Sequence, residues 1–151
     1  MNSINSKYGC VSLLPELQQY LVASISLAAL PEHSKRIALN FRHYDYHVNQ
    51  TGPHPIEIHL TRLDDSHVWK ITTMTSFSFP DDSSSELEVE LYFNLNHQWF
   101  YQPDIERCEL NRPEVIALFH SWQRALLKAF RDGDFDTFAI STIDRTPQTT
   151  V

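Results

Sequence analysis

The chain has little glycine, because only Gly9, Gly52 and Gly133 occur among its 151 residues. Phosphate-binding loops of the Rossmann and Walker types need several glycines in close succession, so that the backbone can approach the phosphate. The three glycines are far apart in sequence, and both loop types are therefore excluded.

Cysteine is equally scarce, with only Cys10 and Cys108 in the chain. Two cysteines are too few for a disulfide scaffold, and their separation in sequence says nothing about pairing. A chain of this length does not need disulfides for stability, since one domain of about 150 residues buries roughly 68 to 70% of the surface that its unfolded chain exposes. We therefore expect reduced thiols in a cytoplasmic protein.

Positive charge is in deficit, with 12 Lys and Arg against 19 Asp and Glu and a net charge of -7. Nucleic acid and anionic membrane surfaces repel such a chain, so neither is expected as a partner. A basic protein partner is favoured instead.

Long hydrophobic runs are also missing. The densest one, residues 20–30, is about half the ~20 residues that a bilayer span requires. Lys7 precedes this run as in a secretory signal, but no convincing cleavage site follows. A buried helix is the expected structure.

Two runs alternate apolar and polar residues with the period of two that is typical of half-buried strands: IALNFR at 37–42 and PIEIHLTRL at 55–63. A polar loop at 43–54 joins them. A third run, HVWKITTMTSFSF, is expected to place alternate side chains on one face: Trp69, Ile71, Thr73, Thr75, Phe77 and Phe79. A fourth sets apolar residues from Leu87 to Leu95 against the alternating set Glu86, Glu88, Glu90, Tyr92 and Asn94. QWFYQ follows after a short turn, and short connections imply antiparallel neighbours.

Apolar residues with helical spacing occur before the first of these strands and after the last. Ser12 is a plausible N-cap for a first helix with Pro15 in its first turn, and its apolar residues cover more than half its circumference. Asn111 followed by Glu114 resembles a capping box for a second helix, which Gly133 ends. The pattern predicts one α+β domain at 13–143, with about five to seven antiparallel strands and both helices packed on one sheet face. Residues 1–12 and 144–151 are expected to be flexible.

Several motifs resemble a small uncharacterised family of gammaproteobacterial proteins. They are N-F-R at 40–42, Tyr46, G-P-H-P-I-E-I at 52–58, T-S-F-S-F at 75–79, the aromatic run Trp99 to Tyr101, and Trp122. That family is similar in fold to the acidic mitochondrial matrix glycoproteins, also known as receptors for complement globular heads. The resemblance implies a bent antiparallel sheet covered by N- and C-terminal helices, subunits that associate, and a non-enzymatic binding protein.

One group of polar residues could form a site on the first strand pair: Arg42, His54, Glu57 and His59. A Glu beside a His can act as a general base. Cross-strand pairing of Arg42 with Glu57 explains the same residues structurally, and no nucleophile or oxyanion donor accompanies them. No catalytic residue is therefore assigned.

The spacing of His43, Asp45 and His47 would point all three to one side of an extended chain. Imidazole and carboxylate groups can hold zinc, but this spacing is not a recognised zinc signature and the segment is predicted to be a loop. No metal site and no cofactor are expected.

Glu86, Glu88 and Glu90 form an acidic ladder on one side of the fourth strand. Such a ladder is usually a solvated face that guards against edge aggregation, and otherwise a docking surface for a basic partner. The leading hypothesis is a protein-binding or scaffold module that uses this face and forms a homo-oligomer through its apolar first helix. The alternative is a small-molecule or metal-binding protein, or a hydrolase, with a cleft near Arg42, His54, Glu57 and Trp69.

Overall fold

The structure is a computed structural model that describes residues 1–31, 33–63 and 66–143. The predicted C-terminal tail, 144–151, lies outside the described residues. The helices are α1 Pro15–Ser26, α2 Tyr44–Asn49 and α3 Pro113–Arg131. The strands are β1 Ser3–Ile4, β2 Lys7–Tyr8, β3 Val11–Ser12, β4 Arg36–Arg42, β5 Ile56–Thr61, β6 Val68–Ser78, β7 Glu88–Asn94, β8 Trp99–Gln102, β9 Glu106–Glu109 and β10 Thr137–Thr142.

The main sheet has the strand order β10-β4-β5-β6-β7-β8-β9, with every neighbouring pair antiparallel. β1 adds an eighth strand, parallel to the start of β6. The predicted α+β class with an antiparallel sheet is confirmed. No helix in the described ranges is long and apolar enough to cross a membrane.

One register row crosses the sheet and carries the core. Its members are Ile140, Leu39, Ile58, Met74, Phe93, Phe100 and Cys108. Residues paired in neighbouring strands share a face, so this row marks the core face. On it, Phe93 packs against Phe119 of α3 with ring centroids 5.0 Å apart. α1 adds Leu17, Leu21 and Ile25 to the same core.

The N-terminal segment was predicted to be flexible, whereas the structure packs it into the core. Ile4, Tyr8 and Val11 are buried. The Tyr8 hydroxyl accepts a 3.0 Å hydrogen bond from the Ile71 N–H, and burial raises the pKa of Tyr8 to about 12. β1, β2 and β3 have two residues each, which is too short to show a period in the sequence.

Both predicted helix starts were wrong by a few residues. α1 begins at Pro15 after Leu14, while Ser12 lies in β3; α3 begins at Pro113 after Arg112. Neither N-cap residue makes a side-chain cap bond. The start of α1 is held by α3 instead. Gln123, which is fully buried, accepts a 2.8 Å bond from the Leu14 N–H and donates a 2.9 Å bond to the Ser12 carbonyl.

The predicted end of α3 is confirmed at Gly133. This residue has φ +66°, the left-handed conformation that glycine adopts without steric cost. Its N–H bonds to the Phe130 carbonyl, and the Asp134 N–H bonds to the Ala129 carbonyl. Together these two bonds form a Schellman motif, which satisfies carbonyls at the end of the helix.

Two register shifts alter which face each strand residue occupies. Leu60 pairs with Ile71 but His59 pairs with Thr73, so Thr72 is an extra residue in β6. The prediction that one alternating set of β6 faces the core therefore holds only through Ile71. Beyond the bulge, Met74 faces the core instead of Thr73 and Thr75. A second shift leaves Glu90 as the extra residue of β7.

Candidate functional site

The sheet face opposite the core carries two register rows of polar and aromatic side chains, which we call the open face. One row is Ala139, Asn40, Glu57, Thr75, Tyr92, Tyr101 and Arg107. The other is Ser141, Ala38, His59, Thr73, Asn94, Trp99 and Glu109. Because strand residues alternate between faces, both rows point away from the side on which α1 and α3 pack.

Large side chains gather at one end of the open face. Tyr92 and Trp99 have ring centroids 5.0 Å apart, and the Arg107 guanidinium lies 4.3 Å from the centre of the Trp99 ring. Tyr101 pairs with both Tyr92 and Arg107 in the register. We call these four residues the aromatic patch. A hollow of about 810 Å³ borders it, lined in part by Trp99 and Arg107.

Three of the predicted site residues, Arg42, Glu57 and His59, also lie on the open face. Asn40 stands directly opposite Glu57, so the predicted cross-strand partner Arg42 is displaced along the strand. Glu57 is hydrogen bonded to His59 of its own strand. This bond is the main cause that lowers the pKa of Glu57, and the Arg42 charge adds to it.

His54, the fourth member of that group, does not join the others. It precedes β5, packs against Tyr46 with ring centroids 4.7 Å apart, and bonds to Glu90 through Nδ1 at 2.8 Å. The bulge turns Glu90 toward the core side, where its carboxylate also accepts a 3.0 Å bond from the buried Ser76 hydroxyl. The predicted single cleft is therefore split between two places on opposite sides of the sheet.

The predicted acidic ladder is broken for the same reason. Glu86, which precedes β7, and Glu88, its first residue, are exposed, while Glu90 is partly buried against His54. The prediction of three carboxylates on one side was wrong, because it assumed an unbroken period of two through β7.

The predicted loop at 43–54 contains the short helix α2. His43 precedes this helix, and its Nδ1 accepts a hydrogen bond from the Asp45 N–H. Asp45 and His47 lie within the helix, so the extended geometry that would align these three side chains is wrong. In the parts of the chain that the structure describes, no three metal-ligating side chains converge.

The aromatic patch was not predicted as a site, although its signal was present. Tyr92 is adjacent to Phe93, and Trp99 and Tyr101 stand on either side of Phe100, so aromatic residues occupy both alternating sets of these strands. In an alternating strand with aromatic residues on both sides, one set must face away from the core.

The His54–Glu90 pair predicts a pH-dependent stability. The hydrogen bond to Glu90 and the charge of its carboxylate raise the pKa of His54 above its usual 6.5. The stabilisation is then complete below the unfolded pKa of 6.5 and is lost as the pH rises through the folded value. Because 41% of the His54 side chain is exposed, solvent screening limits the effect to below about 1 kcal/mol.

We therefore expect Glu90→Gln to lower the free energy of unfolding more at pH 6 than at pH 8.5, measured by urea denaturation. Glu88→Gln, at an exposed position two residues away, is the control and should show no such difference. An equal loss at both pH values for Glu90→Gln would contradict the proposed coupling.

Comparison with known proteins adds a family context. The family model described as Protein of unknown function (DUF2787) matches residues 15–141. A solved structure of a hypothetical protein from the VSP-II pathogenicity island of Vibrio cholerae is 19% identical, with a TM-score of 0.79 over 93% of this chain and 99% of that one. No curated protein matches the chain in sequence.

A second solved structure is a conserved hypothetical protein from the VPI-2 pathogenicity island of Vibrio cholerae O1. It is 23% identical, with a TM-score of 0.68 over 85% of this chain and 94% of that one, and is described as sharing structural homology with the human P32 protein. At these identities the two likenesses show the fold alone. The second likeness confirms, at the level of the fold, the resemblance to the acidic mitochondrial matrix protein that the sequence motifs indicated.

Proposed function

The chain belongs to this DUF2787 family of unknown function, and from that premise we propose that it is a non-enzymatic protein-binding module that acts through the aromatic patch of its open face. The observation that carries the proposal is the clustering of Tyr92, Trp99, Tyr101 and Arg107 on a sheet face opposite the helices. Tyr, Trp and Arg are the residue types that dominate binding energy at protein interfaces.

The chemistry of the open face favours binding over catalysis. Glu57 and His59 are bonded to each other, and the groups beside them in the register are Asn40, Thr73 and Thr75. An activated hydroxyl must be hydrogen bonded to its base, and among the described residues no such bond joins Thr73 or Thr75 to His59 or Glu57, which bond to each other instead. A flat surface with aromatic anchors and polar surroundings matches the anatomy of an interface better than that of an active site.

Electrostatics favours a basic partner. The chain carries a net charge of -7, and Glu86 and Glu88 are exposed just before β7 and at its first residue. Complementary charge mainly increases the association rate and the specificity, while buried aromatic residues supply most of the affinity. In the proposed interface, the acidic residues therefore increase the association rate and the specificity, and the aromatic residues supply the affinity. We place this interaction in the cytoplasm.

The test compares two double variants of the immobilised protein. Trp99→Ala with Tyr101→Ala should abolish capture of the partners that the wild type retains from a lysate, scored by quantitative mass spectrometry. Glu86→Lys with Glu88→Lys is the matched control, because it changes two exposed residues at and just before the start of β7. It should reduce capture only modestly, and more at low salt than at high salt.

We also propose a second copy of the chain as an occupant of the open face, because the family resemblance implies that subunits associate. The prediction from the sequence had placed this contact at the first helix. Light scattering on the same variants, at low and high salt, detects it: the aromatic variant should be monomeric under conditions where the wild type is not. If both assays give the same result for the aromatic variant and the wild type, the aromatic patch is not the binding surface. Loss of capture in the acidic variant alone would show that Glu86 and Glu88, and not the aromatic patch, form the binding surface.

A further inference from the structure

A cleft lies on the core side of the sheet, between α3 and the first residues of β5 and β7. It encloses about 290 Å³. Ala125 and Ala129 stand one helical turn apart on α3 and line the cleft together. Their short side chains leave open the space that larger residues would fill. Trp122 and Ile56 supply further apolar surface.

The polar groups of the cleft converge on Glu90. Its carboxylate is held by the Ser76 hydroxyl at 3.0 Å and by His54 Nδ1 at 2.8 Å. A carboxylate has about four lone-pair sites, so two acceptor positions are left for another donor. Small-molecule sites commonly combine an apolar lining with a few well-placed polar groups of this kind.

The charge of the cleft is negative whether or not His54 is protonated. Two carboxylates line it, from Glu90 and from Asp134 at the rim, and neither Lys nor Arg is among its described lining residues. His54 supplies at most one positive charge, and only when it is protonated. An anion would therefore meet two carboxylates, whereas a cation would gain from both of them.

We propose that this cleft binds a small organic cation, a primary amine with a compact apolar body. The ammonium group donates hydrogen bonds to the free acceptor positions of Glu90, and the body packs between Ile56 and the α3 wall. Trp122 adds an aromatic ring close to the charge, and aromatic rings attract cations. The volume is near the lower end of the roughly 300 to 1,000 Å³ of typical ligand sites, so the ligand is small. The cleft lies on the opposite side of the sheet from the aromatic patch, so this proposal is independent of protein binding there.

The test is an NMR titration of the nitrogen-15-labelled protein with three ligands of similar shape: phenethylamine, phenethyl alcohol and phenylacetate. Isoamylamine serves as a smaller amine. We expect the amines to shift the amide signals around Ala129 and His54, at least tenfold more tightly than the alcohol, and phenylacetate to cause no shift. Equal affinity of amine and alcohol, or no binding of either amine, would overturn the proposal.

Two variants connect binding to the cleft. Glu90→Gln keeps the shape and removes the charge, so it should eliminate the preference for amine over alcohol. Ala129→Leu fills the space and should eliminate binding of both, with Ala125→Met as the second choice if the first does not fold. Glu88→Gln is the matched control and should bind as the wild type does. If amine binding survives both Glu90→Gln and the filled cleft, the amine binds elsewhere and the assignment is wrong.

Discussion

Replacing Gln123 by leucine is expected to lower the free energy of unfolding by about 2 to 4 kcal/mol, although leucine is apolar and similar in volume. Gln123 is fully buried on α3, where its side chain accepts from the Leu14 N–H and donates to the Ser12 carbonyl. Leucine makes neither bond. A fully buried backbone group left without a partner costs roughly 1 to 3 kcal/mol, and because both of these bonds are only part-buried the expected total is in the lower part of twice that range. Because leucine leaves little empty space, the loss measures the hydrogen bonds rather than a cavity.

Urea denaturation followed by circular dichroism gives the measurement. Gln19→Leu is the matched control, since Gln19 is exposed on α1 and the change should stay within about 0.5 kcal/mol. Gln123→Glu distinguishes the two bonds. The glutamate can still accept the hydrogen bond from the Leu14 N–H. When ionised it cannot donate a hydrogen bond to the Ser12 carbonyl, and it also places a charge in a buried position. A loss below about 0.5 kcal/mol for Gln123→Leu would mean that water replaces the glutamine at both backbone groups.

The two bonds of Gln123 show why the start of α1 was predicted wrongly. The capping signals at Ser12 and Asn111 are local patterns, whereas the bond that secures the start of α1 comes from a residue more than 100 positions away in sequence. A glutamine in an apolar helical stripe carries no local indication of what it will bond. The same applies to Tyr8, whose hydroxyl is bonded to the distant N–H of Ile71.

The elements that were predicted well have long, regular patterns. β4 and β5 alternate without interruption, and the apolar stripe of α3 runs for five turns before Gly133 ends it. Such patterns depend only on the geometry of the element itself, with periods of 2.0 and 3.6. α2 has six residues, fewer than two turns, which is too few to distinguish a helix from a loop by pattern.

The residues predicted as a site were harder to place, because Glu90 is itself a bulge residue and His59 lies opposite a bulge. One extra residue at Thr72 and another at Glu90 reverse the phase of β6 and β7. The composition of β7 is fully compatible with an acidic ladder, and only the pairing with β6 shows that Glu90 turns toward His54. Bulges are set by the fit between strands, which a single strand does not encode.

Tyr92 and Phe93 provide the sharpest comparison between the two faces of the sheet, and the last prediction rests on them. Phe93 is fully buried, with ring centroids 5.1 Å from Phe100, 5.0 Å from Phe119 and 5.3 Å from Trp122. Phe93→Ala is expected to lower the free energy of unfolding by about 3 to 5 kcal/mol, from lost burial and from the cavity that remains. The measurement is urea denaturation at pH 7.

Tyr92→Ala, one residue away, should cost about 1 kcal/mol or less, because Tyr92 is only partly buried and its neighbour Trp99 lies on the open face. It should nevertheless weaken partner capture, while Phe93→Ala in its folded fraction should not. A reversal, with the larger stability loss at Tyr92, would mean that the open face is packed against something in the folded protein. In that case the aromatic patch would contribute to the core and would not be available to a partner.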